Sequence, residues 1–229
     1  MLRKSKGTSS WLALLLLIAA IGLKVYDQSH GGKATPVPHP PATTQAPTQN
    51  KSVSHLGNYE VYLNCRLLPH HSNDGDSFLT QTPDGREVTL RLYYVDTPES
   101  QFRHYQNGET NFKRIRQQAA EMGGITPEQA VKTGTQAKHY VLSLLEKAPF
   151  TIYTQWDSPF NDQRFHAFIE ITEGGRKRWL HELLIEKGLA RLKTKPAPLP
   201  DGTTINQHMA YLRELQSTAR KNKVGVWNY

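Results

Sequence analysis

The sequence predicts an α+β chain, mainly β: a closed or nearly closed five-stranded OB-fold barrel with about three to four packed helices. Two observations lead there. Five short runs have strand composition, several alternating apolar with polar residues, and helical runs are interleaved among them rather than gathered in one block. The strand runs cover residues 59–68, 77–82, 87–95, 150–156 and 164–172. Pro83-Asp84-Gly85-Arg86 supplies turn chemistry between the second and third. In the third, Val88, Leu90, Leu92 and Tyr94 share one face, and Thr89, Arg91 and Tyr93 the other. In the fifth, Phe165, Ala167, Ile169 and Ile171 alternate with His166, Phe168 and Glu170.

The helices follow from a different period. Residues 107–122 carry Phe112, Ile115, Ala119 and Met122 at helical spacing and close on Gly123-Gly124. Thr126-Pro127-Glu128-Gln129 is a capping-box start, opening a helix with Ala137, Val141, Leu144 and Leu145 on one face. A short helix over 179–187 stops at Gly188, and a last one over 206–221 turns Met209, Leu212 and Leu215 inward. Cys65, the single cysteine, alternates with Val61 and Leu63 in the first strand. It reads as a buried structural thiol, and the fold has no internal disulfide.

Three segments precede or make up this domain. Residues 1–28 form a leader: Arg3, Lys4 and Lys6 precede the apolar run WLALLLLIAAIGL, which serves as a signal-peptide core or an uncleaved signal anchor. The positive flank holds the N-terminus inside, so the remainder is expected to be extracytoplasmic, membrane-anchored or secreted. Residues 29–55, rich in Pro, Thr, Ala and Gln, have too little apolar surface to offset the entropy of ordering and read as a linker. Residues 56–229 are the globular domain, expected to be a monomer. The formal charge of +8 and pI near 9.5 are compatible with a polyanionic partner, but also with a membrane or with solubility alone.

The stretch NDGDSFLTQTPDGREVTLRLYYVDTPE, residues 73–99, concentrates the chemistry. Asp74-Gly75-Asp76 puts two carboxylates at a strand start, and Asp96-Thr97-Pro98-Glu99 puts two more at a strand end. With the Thr97 carbonyl these are the oxygen donors a hard cation such as Ca²⁺ takes, and Arg91 between them suits a fork contact to phosphate. Alone, Asp-Gly-Asp is an ordinary turn and Asp-Thr-Pro-Glu an ordinary helix start; the order and spacing of the two together are far more specific.

That block resembles the signature of the staphylococcal nuclease (thermonuclease-like) family. Further family blocks are Arg-Phe-His-Ala-Phe from Arg164, Leu184-Ile185-Glu186-Lys187-Gly188-Leu189-Ala190, and the ending at Val226-Trp227. The resemblance covers residues 59–227 and implies a calcium-dependent nuclease that hydrolyses DNA or RNA and leaves 3′-phosphate ends. It implies Ca²⁺ held by Asp76, Asp96 and the Thr97 carbonyl, with Asp74 in support. Glu99 would be the general base or the group orienting the attacking water. Arg91 and Arg164 would hold the phosphate and stabilise the transition state.

Three departures from the family pattern stand out. Gln163 replaces the glycine usual before the second arginine. The segment after Ala190 offers Lys193 and Lys195 as phosphate contacts but no aromatic ring for a base. Residues 103–124, with Arg103, Lys113, Arg114 and Arg116, read as an insertion that could extend the substrate groove or act as a lid, a solvated helical face being the simpler expectation. His70 and His71, adjacent on an extended chain, are expected to point apart in a polar loop, and His166 to be packed or hydrogen-bonded. All five matched functional positions are present, which favours an enzyme over two alternatives: a catalytically inactive barrel that binds nucleic acid at the cell surface, or a tethered adaptor for anionic polymer or lipid.

Overall fold

The computed structural model describes residues 53–159 and 162–229; the leader and most of the linker lie outside them. The described residues form nine strands: β1 Val53–Leu56, β2 Tyr59–Leu67, β3 Ser77–Gln81, β4 Glu87–Leu92, β5 Val95–Asp96, β6 Phe150–Thr154, β7 Arg164–Glu173, β8 Arg176–Trp179 and β9 Arg191–Leu192. Four α-helices are interleaved among the described residues: α1 Phe112–Glu121, α2 Pro127–Lys147, α3 Leu180–Glu186 and α4 Ile205–Lys221, with a 3-10 turn at Gly225–Asn228. Among the described residues, no helix is long and apolar enough to cross a membrane.

The barrel runs β2-β3-β4-β7-β6 and closes by the pairing of β6 back onto β2. All its pairings are antiparallel except β4–β7. This is the five-stranded OB architecture expected, and closure removes the unpaired edges that an open sheet would expose. Its interior is filled by Tyr62, Phe78, Leu90, Leu92, Ile152 and Ile169, all buried. Cys65 is buried too, and burial pushes its thiol up to about 12, as a structural cysteine requires.

The third strand stops earlier than its alternation predicts. Tyr94 adopts φ 69°, so the chain turns at the end of β4 and resumes as β5, which pairs with β9 and not with the barrel. Tyr93 and Tyr94 are consequently both buried instead of facing opposite ways. The first helix is likewise shorter than its periodicity. It starts at Phe112, because Asn111 at its N-cap spends its side chain on the preceding loop, accepting from the Arg103 N–H (2.8 Å) and donating to the Gln101 carbonyl (2.9 Å). The Thr126 capping box forms as expected, with Gln129 N–H to Thr126 Oγ1 at 3.2 Å and Thr126 N–H to Gln129 Oε1 at 2.8 Å.

Candidate active site

Register alone brings the first functional groups together. Ser77 pairs with Arg91 across β3–β4, and the Leu92 N–H donates to the Asp76 carbonyl at 2.9 Å, fixing Asp76 beside Arg91. On the other side of β4 the parallel partner β7 sets Thr89 against Arg164 and Arg91 against His166. Arg91 and Arg164 therefore project from one face of neighbouring strands, two residues apart in register. Gln163, immediately before Arg164, has φ 61°. The left-handed conformation that a glycine would adopt freely is kept here by a glutamine, so Arg164 retains its place.

The turn after β4 carries the remaining carboxylates back over the same mouth. The Thr97 N–H donates to Asp76 Oδ2 at 3.2 Å. Asp96 is 2% exposed and accepts on both oxygens: Oδ1 from Arg91 Nη2 (3.0 Å) and Arg114 Nη2 (2.8 Å), Oδ2 from Arg191 Nε (2.8 Å) and Gln118 Nε2 (3.1 Å). Glu99 Oε1 accepts from Arg114 Nε at 2.7 Å. Arg164 pairs with Asp162, its Nε lying 2.8 Å from Asp162 Oδ2. Lys193 reaches Glu121 (3.4 Å) and Lys195 reaches Asp157 (2.8 Å).

Two clefts meet here. One, of about 530 Å³, is basic: Arg191, Lys193 and Lys195 line it with Asp96. The other, of about 260 Å³, holds Asp74, Asp76, Thr97 and Glu99. Arg91, Arg114 and Arg164 line both. Among the described residues no aromatic side chain lines the basic cleft, and the 191–196 segment offers none. Every site residue read from the sequence thus lines one of two adjoining clefts at a single end of the barrel.

The charges are unequally neutralised. Burial pushes the Asp76 carboxyl up to about 7, with Asp96 adding to the effect and Arg91 opposing it. Burial also acts to raise Asp96, but Arg114 and Arg191 outweigh it and hold that carboxyl below its usual range. Asp74 is raised by burial as well. Hard oxygen donors with uncompensated negative charge fit a divalent cation such as Ca²⁺. The acceptor sites of Asp96 are already occupied, so one donor must yield to such an ion.

The insertion settles between the two readings its sequence left open. Asn111, Arg114, Gln118 and Glu121 recur on one face of α1, and that face is docked on the site rather than solvated. Gln118 is fully buried: its Nε2 donates to Asp96 Oδ2 and to the Thr97 carbonyl (both 3.1 Å), and its Oε1 accepts from the Glu99 N–H (3.0 Å). The flanking face, Ile115 and Ala119, packs on Ala130 of α2. A polar stripe at 3.6-residue spacing was the available signal. Arg191 was equally hidden, since its pairing with Asp96 spans 95 residues.

The histidines serve elsewhere. His70 and His71 sit at a turn and not on an extended run, so their rings lie side by side at 4.3 Å instead of pointing apart. His166 is buried against Tyr93 at 5.3 Å. Among the described residues, His181, Glu182 and His208 bring their ligand atoms within 4.8 Å of one another. The two Nε2 atoms there are 2.7 Å apart, a hydrogen-bond length between neutral rings and tighter than two ligands of one ion stand.

A family model described as staphylococcal nuclease homologue matches residues 89–229. No curated protein matches the sequence. Among solved structures, the extended Tudor domain of Drosophila melanogaster Tudor-SN (p100) is similar at 10% identity and a TM-score of 0.35, over 97% of this chain and 90% of its own, too low a likeness to carry an argument.

Proposed function

Since this chain belongs to the family of staphylococcal nuclease homologues, we propose that it is a calcium-dependent nuclease hydrolysing phosphodiester bonds of DNA or RNA and leaving 3′-phosphate ends. The observation that carries this reading is the convergence of Asp76, Asp96, Thr97 and Glu99 with Arg91 and Arg164 on two joined clefts. Asp76, Asp96 and the Thr97 carbonyl hold Ca²⁺, supported by Asp74. The ion supplies Lewis acidity toward the phosphoryl oxygen. Glu99 accepts a proton from, or orients, the attacking water. Arg91 and Arg164 meet the charge that grows on the phosphoryl oxygens, where fixed guanidiniums act most strongly because they need no reorganisation. Lys193 and Lys195 contact the flanking phosphates.

One observation favours a second reading, a nucleic-acid-binding module without turnover. Asp96 and Glu99 are both paired with arginines that an active site would have to release. Cleavage of DNA and RNA by the full-length protein, with Ca²⁺ or with excess chelator, separates the two. Calcium-dependent product with 3′-phosphate ends is expected; binding without product establishes the module, and full cleavage in chelator removes the cation. Glu99→Gln should keep Ca²⁺ and substrate affinity while losing turnover by roughly 10²–10⁴-fold. An unchanged rate would exclude Glu99 from the chemistry. The composition of the leader supports an extracytoplasmic location for this activity; a reporter fused after Ser54 that stays cytosolic would refute it.

A further inference from the structure

The geometry points to Arg114 as a third phosphate-binding arginine, supplied by α1 and held on Glu99 and Asp96 until substrate takes it. This rests on the nuclease reading for the identity of the ligand. Three arginines line both clefts. Two of them, Arg91 and Arg164, come from barrel strands, and the third is Arg114. It is placed where a backbone passing from the basic cleft to the carboxylates must run.

Arg114 can change partners, whereas Arg191 cannot. Arg191 is 6% exposed, with Nε and Nη2 on Asp96 and Nη1 on Glu121, so all three nitrogens are engaged. The Arg114 side chain is 46% exposed and uses two nitrogens, Nε on Glu99 and Nη2 on Asp96. Its backbone is nonetheless fixed: Ile115 and Gln118, next to it and one turn on in the same helix, are fully buried. The helix is therefore a rigid mount for one adjustable guanidinium. Arg114 stands on Glu99 and Asp96 because the carboxylates cluster there. Any cation arriving at Asp96 weakens that hold, and a phosphodiester, which accepts the same fork of donors, draws the guanidinium across. Leaving Glu99, Arg114 also uncovers the carboxylate that acts on water. The insertion thus supplies a substrate contact and keeps Glu99 paired until a phosphate is present.

The test uses the full-length protein and a phosphorothioate single-stranded oligonucleotide, which keeps its charge and resists cleavage, in Ca²⁺ over a range of salt. Losing one phosphate contact should lower the slope of log affinity against log salt by about 0.7. Arg114→Ala is expected to show that drop and to cleave an ordinary oligonucleotide at least about 10-fold more slowly in single turnover. Arg114→Lys should restore the slope while recovering the rate only in part, since an ammonium makes no fork. If the alanine variant proves misfolded by thermal unfolding, Arg114→Gln is read in its place. An unchanged slope with a reduced rate would overturn the proposal and leave Arg114 as a positioning residue for Glu99; an unchanged slope with an unchanged rate would overturn it outright. If the wild-type protein binds but never cleaves, the nuclease reading fails, while the slope still decides the role of Arg114.

Discussion

Gln163 shows what a single residue can reveal. Its left-handed backbone costs roughly 1–2 kcal/mol more than a right-handed one for a residue with a Cβ. Gln163→Gly should therefore stabilise the fold by up to about 1 kcal/mol, after the extra unfolded-state entropy of glycine is subtracted, and leave turnover intact. Chemical denaturation checks the first, and a rate loss would show that the glutamine itself contacts substrate. Glu182 offers a pH-dependent counterpart. Burial raises its carboxyl to about 7, with Arg178 opposing and Glu186 and Asp201 adding. The folded state therefore holds this proton more tightly than the unfolded chain. The group's stabilising contribution is full below its ordinary value of 4.5 and is lost as pH rises through about 7. Glu182→Gln should gain up to about 3 kcal/mol relative to wild type between pH 4 and pH 8. Parallel thermal unfolding curves at both pH values would contradict this.

Between elements, the close approach of α2 to the carboxylate turn depends on Gly134. A Cβ there would meet the Pro98 and Glu99 carbonyl oxygens at 2.4 Å, and backbone cannot swing aside as a side-chain tip can. Gly134→Ala should cost about 1–3 kcal/mol and lower turnover through displacement of Glu99, measured together by denaturation and steady-state rate. Normal activity with normal stability would show that the helix can retreat without moving the turn. The same turn marks the boundary of what could be read in advance. Strand alternation located the barrel, and the 73–99 block located Asp74, Asp76, Arg91, Asp96, Thr97 and Glu99, because those contacts are local or follow one hairpin. Arg114 was read only within an insertion that could extend the groove, and Asn111, Gln118 and Glu121 were not read as part of the site, because a polar stripe looks the same whether it faces water or a charged cleft. The break at Tyr94 was also hidden, since tyrosine gives no signal of a positive φ.

For the molecule as a whole, the arrangement of strands decides when the site exists. Asp76, Arg91 and Asp96 occupy the β3–β4 hairpin and its two ends, Arg164 arrives only with the parallel strand β7, and Arg191 only with β9. Parallel and long-range pairings form late, because their loops must close first. A protein that cuts nucleic acid is a hazard to the cell that makes it, and this topology bears on that hazard. On the proposed reading, a chain still being made has the carboxylates that would bind metal near the front and its second phosphate clamp, Arg164, far behind. On that reading it would become competent only after nearly all of it has folded, so the order of the strands would leave the unfinished chain without a complete site.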